Sequence, residues 1–223
     1  MNKISASILN VNKEDAVHEF YNLETYKVDF FHIDVMDGKF VENNTYELMK
    51  EYETTLSHIT NIGLDVHLMC ENVFESVDDF LIEGVDRITC HVEALENYSF
   101  DEFKTLVEDL RLENVKLGIA IKPGTDIEVI KKYMPYAHMI LVMTVEPGKG
   151  GQKLIPETLE KLKALKEYSD QEGLDLEFEV DGGIKEENAK NVIENGASIL
   201  VIGTALLNSK NPKKMVEDIK SIV

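Results

Sequence analysis

The sequence predicts an α/β fold, a (β/α)8 or TIM barrel that forms a single domain over residues 1–223. Eight strand-like apolar runs alternate strictly with eight amphipathic, charge-rich stretches. The length also fits, because α/β barrels commonly take about 200–250 residues as one domain. No low-complexity linker or shift in composition divides the chain. A doubly wound open sheet shares the same alternation and is the main structural alternative.

Each predicted strand is a short apolar run that ends in a loop, and each predicted helix carries apolar residues on one face. The predicted strands cover residues 4–9, 28–35, 63–69, 87–92, 116–121, 139–145, 177–181 and 199–203. The predicted helices cover residues 13–25, 46–57, 73–83, 100–110, 127–133, 156–171, 186–195 and 212–222. Eight strands, each followed by a helix, is the number that a TIM barrel requires.

The composition excludes several classes of partner. The chain has 42 acidic and 23 basic residues, a formal net charge of −19, which repels nucleic acid and anionic membranes. No apolar run approaches the roughly 20 residues of a membrane span, and the N-terminus lacks the apolar stretch of a signal peptide. We therefore expect a cytoplasmic protein in which Cys70 and Cys90 are two thiols packed near the sheet.

Three of the predicted strands end in side chains that can bind a metal or transfer a proton. Because alternate residues of a strand share a face, His32, Asp34 and Met36 point to the same side. His67 and Asp181 end two further strands. Barrel enzymes place their active sites at these carboxyl ends. Two histidines and two aspartates that converge there make a plausible four-ligand site for a divalent cation.

Glycine-rich turns follow the sixth, seventh and eighth predicted strands, in segments 146–152, 181–183 and 203–205. Glycine lets the backbone approach a ligand closely, and the helix N-termini beyond such turns offer free N–H groups to an anion. Three such turns at consecutive strand ends predict a phosphate site on the same rim of the barrel.

Taken together, these segments resemble the ribulose-phosphate 3-epimerase family. The similar segments are SIL at 7–9, HIDVMDGKFVENNT at 32–45, DVHLM at 65–69, HVE at 91–93, VMTVEPGKGGQ at 142–152, VDGGI at 180–184 and GTA at 203–205. The resemblance implies a TIM barrel of the ribulose-phosphate-binding type and an isomerase of the pentose phosphate pathway. Its reaction would interconvert D-ribulose 5-phosphate and D-xylulose 5-phosphate. A related branch of the family that acts on D-allulose 6-phosphate is the alternative.

The resemblance also assigns roles to single residues. Asp34 and Asp181 become the two acid/base residues. His32, Asp34, His67 and Asp181 become the ligands of one divalent metal ion per chain. Zinc is the first expectation, and iron, manganese or cobalt are the alternatives. The implied substrate-binding residues are Ser7, Met36, His67, Met69, Met143, Gly148, Gly150, Gly151, Gln152, Gly182, Gly183, Gly203 and Thr204. We expect a homo-oligomer whose partner is a small sugar phosphate.

Chemistry supports this assignment. Inverting a carbon next to a ketone needs one group to remove a proton and another to return it on the opposite face. A lyase or decarboxylase barrel would share the glycine turns, but it would be expected to place a lysine beside these strand ends. A non-catalytic sugar-phosphate-binding barrel would be expected to lose one of the two aspartates.

Other residues near these segments admit plainer interpretations. Asp37 is expected to hold the turn after the second strand, and Asp65 to sit at a strand entrance. His91 and Glu93 either orient a metal ligand or make a structural hydrogen bond. Gln152 either contacts phosphate or caps a helix. The chain departs from the family pattern at Ala6, Glu42 and Lys149, which replace two prolines and an aromatic residue in the loops around the substrate.

Overall fold

The computed structural model describes residues 2–223 and shows eight parallel strands that close into a barrel in chain order. The strands are β1 (Lys3–Ser7), β2 (Phe30–Met36), β3 (Gly63–Met69), β4 (Val85–His91), β5 (Lys116–Ile121), β6 (Met139–Met143), β7 (Glu177–Asp181) and β8 (Ile199–Ile202). Because β8 pairs with β1, the sheet has no edge. The predicted barrel is therefore confirmed, and the open-sheet alternative is wrong.

Helices surround this barrel. They are α1 (Ala16–Thr25), α2 (Tyr46–Ile59), α3 (Val73–Phe80), α4 (Val92–Leu95), α5 (Phe100–Leu112), α6 (Ile127–Lys131), α7 (Glu157–Glu172), α8 (Glu186–Glu194), α9 (Thr204–Leu207) and α10 (Pro212–Lys220). The predicted helices missed α4 and α9, because four residues are too few to show a helical period. Among the helices of residues 2–223, none combines the length and the apolar character that crossing a membrane requires.

The hydrophobic core lies between the strands and the helices. Phe31, Ile33 and Val35 of β2 are fully buried in this layer. The alternate residues His32 and Asp34 point into the barrel, as the period of two requires. The free thiols of Cys70 and Cys90 are also buried, as expected.

Two strands end two residues earlier than the sequence predicts, and both ends matter for the site. β1 stops at Ser7 rather than at residue 9, and β6 stops at Met143 rather than at residue 145. The apolar residues that follow them, such as Leu9 and Val145, line a cavity at the carboxyl end of the barrel instead of continuing the strand. An apolar run therefore marks burial here and not the length of the strand.

Candidate active site

Four side chains from three strands meet at the carboxyl end of the barrel. His32 and Asp34 come from β2, His67 from β3 and Asp181 from the end of β7. One nitrogen or oxygen atom from each of the four lies within 4.8 Å of the others. The register of the sheet accounts for part of this grouping, because Asp34 and His67 are direct neighbours across β2 and β3. The structure thus brings together the four residues that the sequence singled out as metal ligands.

Asp34 lies at the centre of this group. Its Oδ1 atom is 3.2 Å from His67 Nδ1 and 3.3 Å from His32 Nε2. Its Oδ2 atom accepts a hydrogen bond of 2.9 Å from the Ser7 hydroxyl. Burial alone would raise the pKa of Asp34, but the adjacent imidazoles, first His32 and then His67, hold that pKa well below its usual range.

Asp181 has the opposite tendency. Burial, followed by repulsion from the Asp34 carboxylate, raises the pKa of Asp181 to about 6. Its Oδ2 atom is 3.9 Å from His67 Nδ1. Two neighbouring carboxyl groups whose pKa values are pushed apart can serve as base and acid in the same reaction.

His32 is held from behind by Asp65. The Nδ1 atom of His32 lies 2.9 Å from Asp65 Oδ2, which also accepts a hydrogen bond of 2.5 Å from Ser5. All three side chains are completely buried. The expectation that Asp65 sits at a strand entrance is therefore wrong. Asp65 lies inside β3, directly opposite His32, and the local sequence gave no sign of that pairing.

His67 is held by a second histidine. Its Nε2 atom is 2.9 Å from Nε2 of His91, and the two rings lie end to end with centroids 5.0 Å apart and planes inclined by 28°. The other ring nitrogen of His91, Nδ1, lies 3.1 Å from Oε2 of Glu93. Burial lowers the pKa of His91 to about 4, so this imidazole is neutral at physiological pH.

A cavity of about 390 Å³ opens at this end of the barrel, and both aspartates of the cluster line it. Met36, Met69 and Met143 form its inner wall. Of the predicted substrate-binding residues only His67 lies outside the cavity lining, because it is completely buried within the cluster.

The rim of the cavity is built from the glycine turns. Gly182 and Gly183 adopt φ angles of 123° and 67°, in the left-handed region that favours glycine. Gly150, Gly151, Gly203 and Thr204 complete this rim. We call these six residues the glycine rim. Their close backbones leave room for an anion next to free N–H groups.

Sequence reasoning missed three polar residues that line the cavity, namely Asn10, Lys185 and Asn208. Asn10 donates a 3.0 Å hydrogen bond from Nδ2 to the Thr204 hydroxyl and lines the cavity near Gly150. Lys185 lines the cavity at the start of α8. Lys185 could have been found in the sequence, because it directly follows the segment VDGGI. The only sequence signal for Asn10 was its place next to Leu9.

Two loop residues have mainly structural contacts. Gln152 donates from Nε2 to the carbonyl oxygens of Glu146 and Lys149, so it holds its own loop closed while also lining the cavity. Asp37 accepts hydrogen bonds from three backbone N–H groups, those of Lys39, Phe40 and Glu71. It therefore holds the turn after β2, as expected.

Comparison with known proteins places this site in a family. A closed barrel with acid/base side chains and a glycine rim at its carboxyl end is the arrangement of a TIM-barrel enzyme. Residues 3–207 match the model of the ribulose-phosphate 3 epimerase family. The chain belongs to this family of isomerases.

Curated relatives agree over nearly the full length. The ribulose-phosphate 3-epimerase of Bacillus subtilis is 36% identical over 222 residues, which cover 99% of both chains. The enzyme of the same name from Synechocystis sp. is 35% identical over 218 residues, covering 98% of this chain and 93% of the relative.

Solved structures that are less similar in sequence share the fold. A 3-hexulose-6-phosphate synthase aligns with a TM-score of 0.71 at 15% identity and covers 99% of each chain. A 3-keto-L-gulonate-6-phosphate decarboxylase from Vibrio cholerae aligns with a TM-score of 0.70 at 16% identity and covers 100% of each chain. At this level of identity the likeness shows the barrel alone.

Proposed function

We propose that this protein is a metal-dependent epimerase that inverts carbon 3 of D-ribulose 5-phosphate to give D-xylulose 5-phosphate. One observation carries the proposal: two carboxyl groups, Asp34 and Asp181, line one cavity and share a buried cluster with two histidines. The names of the curated relatives support ribulose phosphate as the substrate.

The cluster fits a divalent metal in its chemistry. Two imidazole nitrogens and two carboxylate oxygens form a donor set that suits zinc, and also iron, manganese or cobalt. In addition, the buried Nε2 atom of His32 has no hydrogen-bond partner, although it points at Asp34. A buried ring nitrogen without a partner is costly unless something binds it. When bound, a divalent ion would polarise the substrate ketone and stabilise the enediolate.

The protein's own residues would then divide the remaining work. Asp34 and Asp181 come from different strands and both line the cavity, so each carboxyl group can serve one face of carbon 3. The pair can therefore take a proton from one face of carbon 3 and return one to the other. The sulfurs of Met36, Met69 and Met143 exclude water without offering protons. The glycine rim would hold the phosphate.

Proton exchange at carbon 3 is the direct test. Wild type in D2O should convert ribulose 5-phosphate to xylulose 5-phosphate with deuterium at carbon 3. Asp34→Asn and Asp181→Asn should each abolish this conversion when rates are compared at equal metal content. Conversion without deuterium incorporation, or full epimerisation by either variant, would contradict the two-aspartate mechanism.

The metal and the sugar are tested separately. Elemental analysis should find one divalent ion per wild-type chain and a loss of that ion in His67→Ala. Equal metal content in the two proteins would refute the ligand assignment. A preference for allulose 6-phosphate over ribulose 5-phosphate would overturn the choice of substrate. The expected homo-oligomer and cytoplasmic location stay predictions.

A further inference from the structure

His67 presents its two ring nitrogens to different surroundings. Nδ1 faces the aspartates, 3.2 Å from Asp34 Oδ1 and 3.9 Å from Asp181 Oδ2. Nε2 lies 2.9 Å from Nε2 of His91. Two ring nitrogens at this distance form a hydrogen bond only if one carries a proton and the other a lone pair. The tautomer of His91 therefore determines the tautomer of His67.

Glu93 determines the tautomer of His91. The carboxylate of Glu93 only accepts hydrogen bonds, so the facing Nδ1 atom of His91, at 3.1 Å, must carry the proton. Nε2 of neutral His91 then has the lone pair and accepts the proton of His67 Nε2. It follows that His67 donates from Nε2 and that Nδ1 is the ring nitrogen left to face Asp34 and Asp181.

Glu93 is itself fixed by the neighbouring loop. Its second oxygen, Oε1, accepts a 2.9 Å hydrogen bond from the backbone N–H of Lys122 and another from the hydroxyl of Thr125. A backbone N–H can only donate, so Oε1 has to remain an acceptor. Oε2 is thereby left for His91. A chain of hydrogen bonds thus runs from the loop after β5 to the face of His67 that meets the cluster.

His32 is arranged the other way round. Its Nδ1 atom is 2.9 Å from Oδ2 of the Asp65 carboxylate and so carries a proton, which leaves Nε2 as the ring nitrogen that can bind a metal. That Nε2 atom is the buried nitrogen without a hydrogen-bond partner. The two histidines therefore turn opposite ring nitrogens toward the same point beside Asp34.

We propose that Glu93 and His91 are positioning residues that fix the tautomer of His67, so that His67 offers Nδ1 to a metal ion while His32 offers Nε2. This inference rests on the metal-dependent function proposed above. The alternative, ligation through Nε2 of His67, has no space. A Zn–N bond of about 2.0–2.1 Å would need the position that His91 occupies.

The ring nitrogens can be observed directly in the wild-type protein. Long-range 1H–15N spectra of 15N-labelled protein with and without Zn2+ distinguish a nitrogen that carries a proton from one that binds the metal. With Zn2+, we expect metal ligation at Nδ1 of His67 and at Nε2 of His32. Ligation of His67 through Nε2 would overturn the proposal, and no variant is needed to see it.

Glu93→Gln tests the role of the carboxylate. Because the N–H of Lys122 keeps the amide oxygen, the amide NH2 group faces His91 and donates to its Nδ1. His91 must then carry its proton on Nε2, and His67 must carry its proton on Nδ1, where it blocks the metal. Zn2+ affinity, measured by competition with a chelator, should fall by about 10–100-fold, as is usual for residues that orient a metal ligand.

Glu96→Gln is the matched control. It makes the same chemical change on an exposed side chain directly after α4 and should leave Zn2+ affinity unchanged. His91→Gln keeps a carbonyl oxygen that can accept from His67, so it should retain more affinity than His91→Leu, which keeps no acceptor. Circular dichroism and urea midpoints confirm that each variant is folded.

The outcomes separate this inference from the proposed function. If wild type binds Zn2+ and epimerises ribulose 5-phosphate while Glu93→Gln binds as tightly as Glu96→Gln, the positioning role fails and the epimerase remains. If wild type binds no divalent metal, both proposals fail. Reversed ring tautomers in the spectrum of Glu93→Gln, together with weaker Zn2+ binding, would establish the chain of hydrogen bonds.

Discussion

Gly183 offers a direct test of the glycine rim. Its φ angle of 67° lies in the left-handed region, and a Cβ atom there would clash with the backbone nitrogen of Leu154 and lie 2.9 Å from the carbonyl oxygen of Gln152. A residue with a Cβ atom costs about 1–2 kcal/mol in this backbone region. Overpacking against backbone adds about 1–3 kcal/mol. We therefore expect Gly183→Ala to lower the free energy of unfolding by roughly 2–5 kcal/mol.

The same substitution should weaken substrate binding. To relieve the clash, the loop after β6 must move away from β7, and the N–H groups of the glycine rim move with it. Hydrogen bonds to a charged group contribute about 1.5–3 kcal/mol each, so losing one should raise KM for ribulose 5-phosphate by about 10–100-fold. A coupled assay that removes xylulose 5-phosphate measures KM, and urea denaturation measures stability.

Two other glycines separate strain from position. Gly173 ends α7 with a nearly identical φ of 68°, but it has no neighbouring atoms where a Cβ would stand. Gly173→Ala should therefore lower the free energy of unfolding only by the backbone strain, about 1–2 kcal/mol, and should leave KM unchanged. Gly124→Ala, with open space and no positive φ, should change neither quantity. If Gly183→Ala behaves like Gly173→Ala in both assays, the structural reasoning about the rim is wrong.

Three further predictions concern stability and the cavity. Burial raises the pKa of Glu53 to about 9, so the folded state keeps a proton that the unfolded state loses above about pH 4.5. Stability should therefore fall by up to about 1.4 kcal/mol per pH unit from there to pH 9, and urea titrations should show Glu53→Gln flattening this slope. If stability falls equally steeply with pH in wild type and in Glu53→Gln, Glu53 does not hold a buried proton. Arg87 is buried against Asp86 and the ring of Phe30. Arg87→Met should therefore lower the free energy of unfolding, measured by urea denaturation, by about 3–5 kcal/mol. An unchanged urea midpoint would show that the contacts of Arg87 do not stabilise the fold. Lys149 lines the cavity, so Lys149→Ala should raise KM for ribulose 5-phosphate about 2–5-fold. Lys153→Ala in the same loop should leave KM unchanged. Equal KM values for the two variants would show that Lys149 does not contribute to substrate binding.

Much of the candidate site could be predicted because its signals are local. The period of two places His32 and Asp34 on one face of β2, and each glycine turn is visible within a few residues of a strand end. Helices α4 and α9 escaped prediction because a single turn of helix leaves no repeating pattern. The strand ends were misplaced because apolar residues such as Val145 line the cavity as well as the sheet.

The sequence alone determined the alternation of strands and helices, the segments that carry the chemistry and the residues that could bind a metal, whereas the closure of the barrel was visible only in the structure. Only the tertiary structure decided which partners hold those residues. Asp65 contacts His32 because the register of β2 and β3 places them side by side. Glu93 is fixed by Lys122 and Thr125, which belong to a loop about 30 residues later in the chain. Hydrogen bonds between strands and loops depend on how the closed barrel aligns its strands, and that alignment leaves no periodic trace within any one segment.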